Sequence, residues 1–274
     1  MASLGQIIFW SMIVLIFLFA AIIILILALT FSGPSSDVES SNRSTIANLG
    51  QDVRLSCFLL LPNEGGAQFS DVSITWKKEG LSGLVYQYRD GAANLRDQDP
   101  EFRGRTQLFT DVINRGNASL LLMRVRSSDD GVYSCSISSS GGGGSVSVRL
   151  RTAAFSAPTF TATKDILIAE AERWLPKPSV TWFDFAGKVL NASTTFTQNS
   201  AGIFSIVSML QPVTKRDPYT CNIQSTMVMA VSEATITGSG VSERTTFTFS
   251  AASSVPASNL LSIMTSVLCI YYLT

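Results

Sequence analysis

The stretch DDGVYSC at residues 129–135 places a tyrosine two positions before a cysteine and three positions after the second of two aspartates. Far upstream, Cys57 lies in the run VRLSCFLL, where apolar and polar residues alternate in part. Between the two cysteines, Trp76 ends a second alternating run, VSITW. Such alternation is typical of β-strands that bury one face. The three segments therefore predict three strands whose inward side chains include Cys57, Trp76 and Cys135.

Two distant cysteines, an intervening tryptophan and a tyrosine before the second cysteine form the core pattern of an immunoglobulin-type β-sandwich. In that arrangement Cys57 and Cys135 bridge the two sheets, and Trp76 packs on the bridge. The hydroxyl of Tyr133 would satisfy backbone groups at the corner where its strand begins. Closing so long a loop removes denatured-state entropy worth roughly 4–5 kcal/mol. Two buried free thiols in an unrelated domain are the alternative.

Composition and charge restrict the function. Lys and Arg total 20, as do Asp and Glu, so the formal net charge is zero and no basic face for nucleic acid is indicated. The chain has no histidine, which removes the usual general base at neutral pH and the commonest metal ligand. Its four cysteines include no closely spaced pair of the kind that binds zinc. We therefore expect no metal, no cofactor, no small-molecule substrate and no enzyme activity.

The N-terminal segment is apolar almost without interruption. Residues 7–31 contain only Ser11 and Thr30 as polar side chains, and no Lys or Arg precedes Arg43. As a helix, this run would exceed the bilayer core of about 30 Å. We predict that residues 1–33 are a cleaved signal peptide or an uncleaved signal anchor, and small residues near their end favour cleavage. Either outcome would deliver the rest of the chain to an oxidising, exoplasmic compartment, where disulfides persist.

Residues 36–152 are predicted to form a variable-type domain. A short strand at residues 84–89 would supply the extra strand pair that constant-type domains lack. Further along, the pattern predicts strand D at residues 102–106 and strand E at residues 118–125. An arginine in strand D often meets the aspartate that opens the DDGVYSC stretch.

We predict that this arginine, Arg105, pairs with Asp129 across the bottom of the sandwich. Such a pair stabilises little when it is exposed and more when it is bidentate. Two separately solvated charges are the alternative.

Four consecutive glycines separate the last two strands of this domain. They are Gly141, Gly142, Gly143 and Gly144, and the final strand that follows them alternates around Val148. No strand-to-helix context or lysine follows, so a phosphate-binding loop is not indicated. The glycines predict a flexible hairpin loop at the end of the sandwich where variable-type domains bind partners.

Residues 155–237 are predicted to form a constant-type domain. Trp182 follows a run with two prolines, and the later run DPYTC repeats the tyrosine-before-cysteine pattern with Tyr219 and Cys221. The partner cysteine is expected near Ala169, but the sequence has none there. We therefore expect Cys221 to be a buried free thiol beside Trp182, with an intermolecular disulfide as the alternative. Without its bridge, this domain is predicted to be the less stable of the two.

The composition changes after the second domain. Residues 238–259 are rich in serine and threonine, which indicates a stalk. Residues 260–274 are mainly apolar and follow small residues, which favours a lipid-anchor signal, with a transmembrane helix or no anchor as alternatives. In each case we expect no cytoplasmic tail. The predicted fold is all-β, with two tandem immunoglobulin-like β-sandwiches between an N-terminal apolar helix and a C-terminal apolar tail.

Three sequons predict N-glycosylation of an exported protein. Their acceptors are Asn42 in a polar segment, Asn117 at the predicted start of strand E, and Asn191 in the second domain. For Asn42 a chance match is the alternative, because such matches are common in serine-rich stretches.

Several longer runs resemble the B-seven/butyrophilin family of costimulatory ligands in the immunoglobulin superfamily. The similarity extends from residue 1 to about residue 221, and the first ten residues, FRGRT and GNASL are its most specific parts. The runs are residues 1–10, 76–80, 83–85, 102–106, 116–120, 154–158 and 173–178. The chain departs from the family in its missing second-domain cysteine, its four glycines and its short C-terminus.

This resemblance implies a ligand on the extracellular face of the plasma membrane. It would engage a receptor protein on T cells and lower their activation, proliferation and cytokine output, although fold alone does not fix function. The family binds partners with the front sheet of its first domain, and tyrosine suits such contacts. The implied receptor contacts are Lys77, Tyr86, Tyr88, Ser136 and the four glycines 141–144. Homophilic cell adhesion and activating costimulation are the alternatives.

Overall fold

An N-terminal helix precedes two β-sandwiches in the computed structural model of the chain, which describes residues 4–31, 38–60, 69–140, 142–238 and 240–250. Helix α1 spans Leu4–Phe31. Its 28 residues would extend about 42 Å at 1.5 Å per residue. Within the described residues it is the one helix long and apolar enough to cross a membrane, and no residue of Phe9–Ile26 is buried. The predicted fold class, all-β sandwiches after an apolar helix, is confirmed.

The first sandwich consists of eleven strands and three short 3-10 helices. The strands are β1 (Val38–Glu39), β2 (Ser44–Asn48), β3 (Val53–Leu55), β4 (Phe58–Leu59), β5 (Ser73–Lys78), β6 (Tyr86–Arg89), β7 (Ala92–Ala93), β8 (Thr106–Leu108), β9 (Leu120–Leu122), β10 (Gly131–Ser139) and β11 (Gly142–Ala153). The 3-10 helices are Pro100–Phe102, Thr110–Arg115 and Ser127–Asp129. The front sheet has the order β2-β11-β10-β5-β6-β7, the back sheet has the order β3-β9-β8, and β1 pairs with β4.

The core of this sandwich lies between the front and back sheets. Alternate residues of each strand point inward, because successive side chains of a strand leave it on opposite faces. Ile74 and Trp76 of β5 meet Leu120 and Leu122 of β9 in one buried cluster. The same alternation leaves the other face of the front sheet to solvent.

The predicted strand D at residues 102–106 is wrong. The chain instead forms the 3-10 helix Pro100–Phe102 and a turn, and β8 begins only at Thr106. Pro100 has no N–H and a fixed φ, and the side chain of Asp99 accepts a hydrogen bond from Glu101 N at 2.9 Å. Both features favour a helical turn over an extended strand.

Two other strands are shorter than predicted. Residues 84–89 contribute only Tyr86–Arg89, and strand E is reduced to Leu120–Leu122. Two residues past that end, Arg124 adopts a left-handed φ of 50°, which takes the chain out of the sheet.

The prediction of a flexible glycine loop is also wrong for three of the four glycines. Gly142, Gly143 and Gly144 pair with the end of β10 and open strand β11, while Gly141 lies outside the described residues. A side chain at Gly143 would place its Cβ against the carbonyl oxygen of Ile137. Glycine is therefore needed here for close strand pairing rather than for mobility.

The second sandwich follows directly. Its strands are β12 (Thr159–Thr163), β13 (Ile166–Trp174), β14 (Ser179–Phe183), β15 (Val189–Leu190), β16 (Ala192–Gln198), β17 (Phe204–Leu210), β18 (Pro218–Gln224), β19 (Val228–Ile236) and β20 (Val241–Phe249). One sheet has the order β12-β13-β17-β16 and the other has the order β15-β14-β18-β19-β20. Trp174, Trp182 and Cys221 are fully buried between them.

The predicted stalk at residues 238–259 is wrong over Val241–Phe249. These residues form β20, which pairs with β19 along nine positions from Ile236↔Val241 to Val228↔Phe249. Phe247 packs against the second core, and Glu243 Oε2 accepts a hydrogen bond from Phe160 N at 2.9 Å. The second domain therefore extends past residue 237. Residues 251–259, and the predicted anchor at 260–274, lie outside the described residues.

The two sandwiches meet at a short junction. Asn48 donates from Nδ2 to Phe155 O at 2.9 Å and accepts from Phe155 N at 3.3 Å. Arg173 donates to Leu49 O at 2.6 Å. These bonds tie the end of β2 and the residue after it in the first domain to Phe155 and Arg173 of the second domain.

Candidate functional site

A disulfide anchors the front sheet of the first domain. Cys57 and Cys135 are joined, with their Cα atoms 6.4 Å apart and a sequence separation of 78. Trp76 pairs with Cys135 in register, is fully buried, and donates from Nε1 to Ala118 O at 2.9 Å. The predicted bridge and the predicted position of the tryptophan are present. The sheet that carries the candidate site is therefore held to the opposite sheet at its centre.

Tyr133 fixes the corner before this sheet. Its hydroxyl donates to Asp129 O at 2.8 Å, and its ring is buried. Burial, and to a lesser degree the nearby charge of Asp129, raises the pKa of Tyr133. The phenol therefore stays a neutral hydrogen-bond donor at physiological pH.

The predicted ion pair between Arg105 and Asp129 is present and buried. Two guanidinium nitrogens of Arg105 donate to the two carboxylate oxygens, at 2.9 Å and 2.8 Å. The two side chains are 2% and 0% exposed. The hydrogen bond to Asp129 raises the pKa of Arg105. This bidentate pair closes the bottom of the sandwich, next to the 3-10 helix that leads into β10.

The outward side of the front sheet carries small polar side chains. Because Trp76 and Cys135 face inward, the residues beside them in β5 and β10 face outward. Three rows cross β5, β10 and β11 in register, and we call these nine residues the serine face. The rows are Ser73–Ser138–Gly143, Thr75–Ser136–Ser145 and Lys77–Ser134–Ser147.

Two predicted receptor contacts, Lys77 and Ser136, lie on the serine face and are exposed. Lys77 is its one charged side chain. Gly143 belongs to the same face, and Gly142 is at its edge. Gly144 pairs with the buried Ile137, so it lies on the inward side of β11. Whether any of these residues contacts a receptor remains a prediction.

Tyr86 and Tyr88 do not lie on that face, and their prediction as outward contacts is wrong. Tyr86 pairs with Trp76 and Tyr88 pairs with Ile74, so both rings point into the sandwich. Tyr86 is 6% exposed, and Tyr88 is partly buried against the same core. Burial is the main cause that raises the pKa of Tyr86. These tyrosines support the sheet from inside.

The outward residues that sequence reasoning missed include Thr75 and Gln87. They pair with each other across β5 and β6, and Gln87 also accepts from Asn94 Nδ2 at 2.9 Å. The signal was available for Thr75, because it alternates with Trp76 in the printed sequence. For Gln87 the register between two strands was needed as well.

A depression adjoins one end of the serine face. It encloses about 850 Å³ and is lined by Phe69, Asp71, Ser73, Tyr88 and Asp90, among others. It joins the start of β5 to the turn after β6. A partner that lies on the serine face could place a side chain here.

The second domain contains the unpaired thiol that the sequence predicts. Cys221 is free and buried, and desolvation raises its pKa to about 12. It pairs in register with Trp182, whose Nε1 donates to Ser208 Oγ at 2.8 Å. Tyr219 accepts a hydrogen bond from Thr214 N at 2.8 Å through its hydroxyl oxygen. A neutral, enclosed thiol is suited to packing and not to reaction at neutral pH.

Within the part of the chain that the structure describes, no three His, Cys, Asp or Glu side chains come together as metal ligands. Among the sequon acceptors, Asn42 and Asn191 are exposed and Asn117 is partly buried. Their glycosylation remains a prediction.

Known proteins resemble this chain in its first domain and along most of its length. The immunoglobulin V-set domain model matches residues 40–151. A human protein named V-set domain-containing T-cell activation inhibitor 1 is 38% identical over 253 residues, which covers 89% of this chain and 88% of that protein. The rat protein of the same name is 37% identical over the same extent. A solved structure, the human B7-H4 IgV-like domain, is 36% identical, covers 43% of this chain and 97% of its own, and has a TM-score of 0.37.

Proposed function

Because this chain belongs to the family of V-set domain-containing T-cell activation inhibitor 1, within the immunoglobulin superfamily, we propose that it restrains T-cell activation from a cell surface. In this proposal the first domain binds a receptor protein on T cells and lowers proliferation and cytokine production. The observation that carries the proposal is identity of 38% along 89% of the chain to a protein named for T-cell inhibition.

The serine face is the proposed receptor-binding surface. It is continuous because β5, β10 and β11 pair without interruption across its three rows, and the disulfide holds it to the opposite sheet. Its small side chains let a partner approach the sheet closely and contribute the larger groups itself. Lys77 adds one positive charge, which favours an acidic or carbonyl-rich patch on the receptor.

Helix α1 supports exposure on the outer side of a membrane. A helix of this length and composition serves as a signal sequence or as an anchor, and the disulfide requires an oxidising compartment. We therefore place both sandwiches on the extracellular face of the plasma membrane.

The test is T-cell culture on cells that display the full chain. T cells stimulated through their antigen receptor should proliferate less on these cells than on untransfected cells. Ser136→Arg places a long charged side chain at the centre of the serine face, where it should weaken receptor binding at least about ten-fold and relieve the inhibition.

The matched control is Gln107→Arg, which adds the same side chain to an exposed position of β8 in the back sheet. This variant should inhibit as well as the wild type at equal surface level. Equal inhibition by both variants would contradict the serine face as the binding surface. Clustering of displaying cells without T cells, and no effect on T cells, would replace the proposal with homophilic adhesion.

A further inference from the structure

The sequon at Asn117 is built into the core of the first domain. Ser119, which supplies its hydroxyl, is 1% exposed, and its Oγ accepts a hydrogen bond from Cys57 N at 3.2 Å. Ala118, between the two, is also 1% exposed. Its N–H donates to Cys57 O at 2.9 Å and its carbonyl accepts from Trp76 Nε1 at 2.9 Å. The residues that follow Asn117 are thus hydrogen-bonded to the backbone of Cys57 and to the side chain of Trp76.

We propose that Asn117 accepts an N-linked oligosaccharide only before the first domain folds, and that closure of the disulfide-bridged sandwich ends modification at this site. An oligosaccharyltransferase recognises the serine hydroxyl of a sequon as well as the asparagine. In the folded domain that hydroxyl is enclosed and already bonded. Exposing it requires breaking the contacts beside Cys57, which means opening the sandwich and not a loop.

The chemistry concerns one nitrogen. Nδ2 of Asn117 attacks the anomeric carbon of an oligosaccharide carried on a lipid pyrophosphate. The new C–N bond forms as the C–O bond to pyrophosphate breaks, the amide proton passes to a base of the transferase, and the lipid pyrophosphate leaves. No oxidant or reductant takes part.

The folded domain can keep a glycan that it could not acquire. Oδ1 of Asn117 accepts from Ser119 N at 3.0 Å, which directs that oxygen toward the core. Nδ2 lies on the other side of the amide and has no hydrogen-bond partner among the described residues. Since Asn117 is partly exposed, a sugar on Nδ2 would extend to solvent while the hydrogen bonds of Ala118 and Ser119 stay in place.

Asn191 provides a comparison within the same chain. Both Asn191 and the hydroxyl residue of its sequon, Ser193, are exposed. Asn191 follows β15, and Ser193 lies in β16, which is the edge strand of its sheet. This sequon should therefore remain a substrate after folding.

The experiment uses the full chain made in cells whose oligosaccharyltransferase is inhibited, then purified in detergent. It is incubated with purified transferase and a lipid pyrophosphate-linked oligosaccharide, in one arm oxidised and in the other reduced in mild denaturant. Mass spectrometry measures occupancy at each sequon, and only molecules with the Cys57–Cys135 disulfide count in the oxidised arm. We expect occupancy at Asn117 at least about ten-fold below that at Asn191 in the oxidised arm, and similar occupancy of the two in the reduced arm.

Three outcomes would overturn the proposal. Equal modification of Asn117 and Asn191 in disulfide-bonded chains would show that the fold does not protect the site. Protection of Asn191 as well would show that exposure is not what decides. A bare Asn117 in the reduced arm would show that something other than folding excludes it.

Discussion

Replacing Asp129 with alanine should destabilise the first domain strongly. The carboxylate is 0% exposed and Arg105 is 2% exposed, so neither charge can turn to water when its partner is lost. The change removes two charge-assisted bonds of 2.8 Å and 2.9 Å, and it also removes the acceptor for Arg126 N at 2.8 Å. The guanidinium keeps its bonds to backbone carbonyls and its position 5.5 Å from the centroid of the Phe102 ring, and neither neutralises its charge. Breaking a buried pair from one side costs about 3–5 kcal/mol, and we expect about 4 kcal/mol here.

The neighbouring residue supplies the control. Asp130 lies 3.8 Å from Arg149 in a pair whose side chains are 41% and 54% exposed. Asp130→Ala also removes the exposed hydrogen bond that Thr152 N donates to Oδ2 at 3.0 Å, and it should still cost no more than about 1 kcal/mol. The free energy of unfolding would be measured by the urea dependence of amide hydrogen exchange in β10, which reports the first domain and not the second.

The double variant Arg105→Met with Asp129→Leu separates charge from packing. Removing both buried charges while filling their volume should recover most of the loss, because the cost of the single variant comes from an unpaired buried charge. A loss below about 1 kcal/mol for Asp129→Ala, no larger than that of Asp130→Ala, would refute the reasoning. So would a double variant as unstable as the single one.

Four other predictions concern the two sandwiches. Gly143→Ala should cost about 2 kcal/mol by forcing its Cβ onto the opposite carbonyl, whereas exposed Ser145→Ala should change stability by under about 0.5 kcal/mol in urea unfolding. Ala169→Cys should form a bridge with Cys221 and stabilise the second domain by up to about 4 kcal/mol, measured as a higher midpoint of that domain's calorimetric transition. Alkylation of native Cys221 by iodoacetamide should be negligible at pH 8, because a pKa of about 12 keeps the thiol protonated, and it should be rapid in denaturant. Phe247→Ala should destabilise the second domain by about 2 kcal/mol, measured by calorimetry.

Each has a contrary result. Equal stabilities of Gly143→Ala and Ser145→Ala would contradict the steric argument. Two free thiols in peptide maps of Ala169→Cys would mean that the new cysteine does not reach Cys221. Rapid alkylation of the native chain at pH 8 would show that the thiol is accessible. An unchanged thermal transition of the second domain in Phe247→Ala would mean that β20 does not contribute to the core of that domain.

The disulfide core could be predicted because several independent residues agree. Cys57, Trp76 and Cys135 share an alternation that puts all three on inward faces, and Tyr133 fixes the corner. Arg105 could be paired with its aspartate although the surrounding strand was misassigned, since the pairing depends on position in the sandwich and not on the local helix or strand.

The outward face was harder to predict because it depends on register. Tyr86 and Tyr88 alternate with Gln87, so one parity places the tyrosines outside and the other places Gln87 outside. A shift of one residue exchanges the two sets. The pairing of Tyr86 with Trp76 decides which of the two sets faces outward. The sequence of so short a strand does not specify that pairing.

Strand β20 was missed for a different reason. Its serine and threonine content indicated a stalk, but Val241, Thr245 and Phe247 are partly buried and recur on one face of the strand. Threonine and phenylalanine also favour strands. The alternation of a strand is visible in the sequence, but the serine and threonine content favoured a stalk instead.

In the second sandwich, strand β20 joins the two sheets where the disulfide is missing. A disulfide would stabilise the domain differently, because β20 acts on the folded state and a disulfide acts on the unfolded state. Glu243 of β20 bonds Phe160 of the other sheet, and Phe247 fills the core, so both stabilise the folded domain. A disulfide from residue 169 to Cys221 would act mainly by restricting the unfolded chain. Contributions to different states should add, so the bridge should raise stability as much in the Phe247→Ala background as in the wild type. A gain that disappears in that background would mean that the bridge also needs β20 to hold the two sheets at bonding distance.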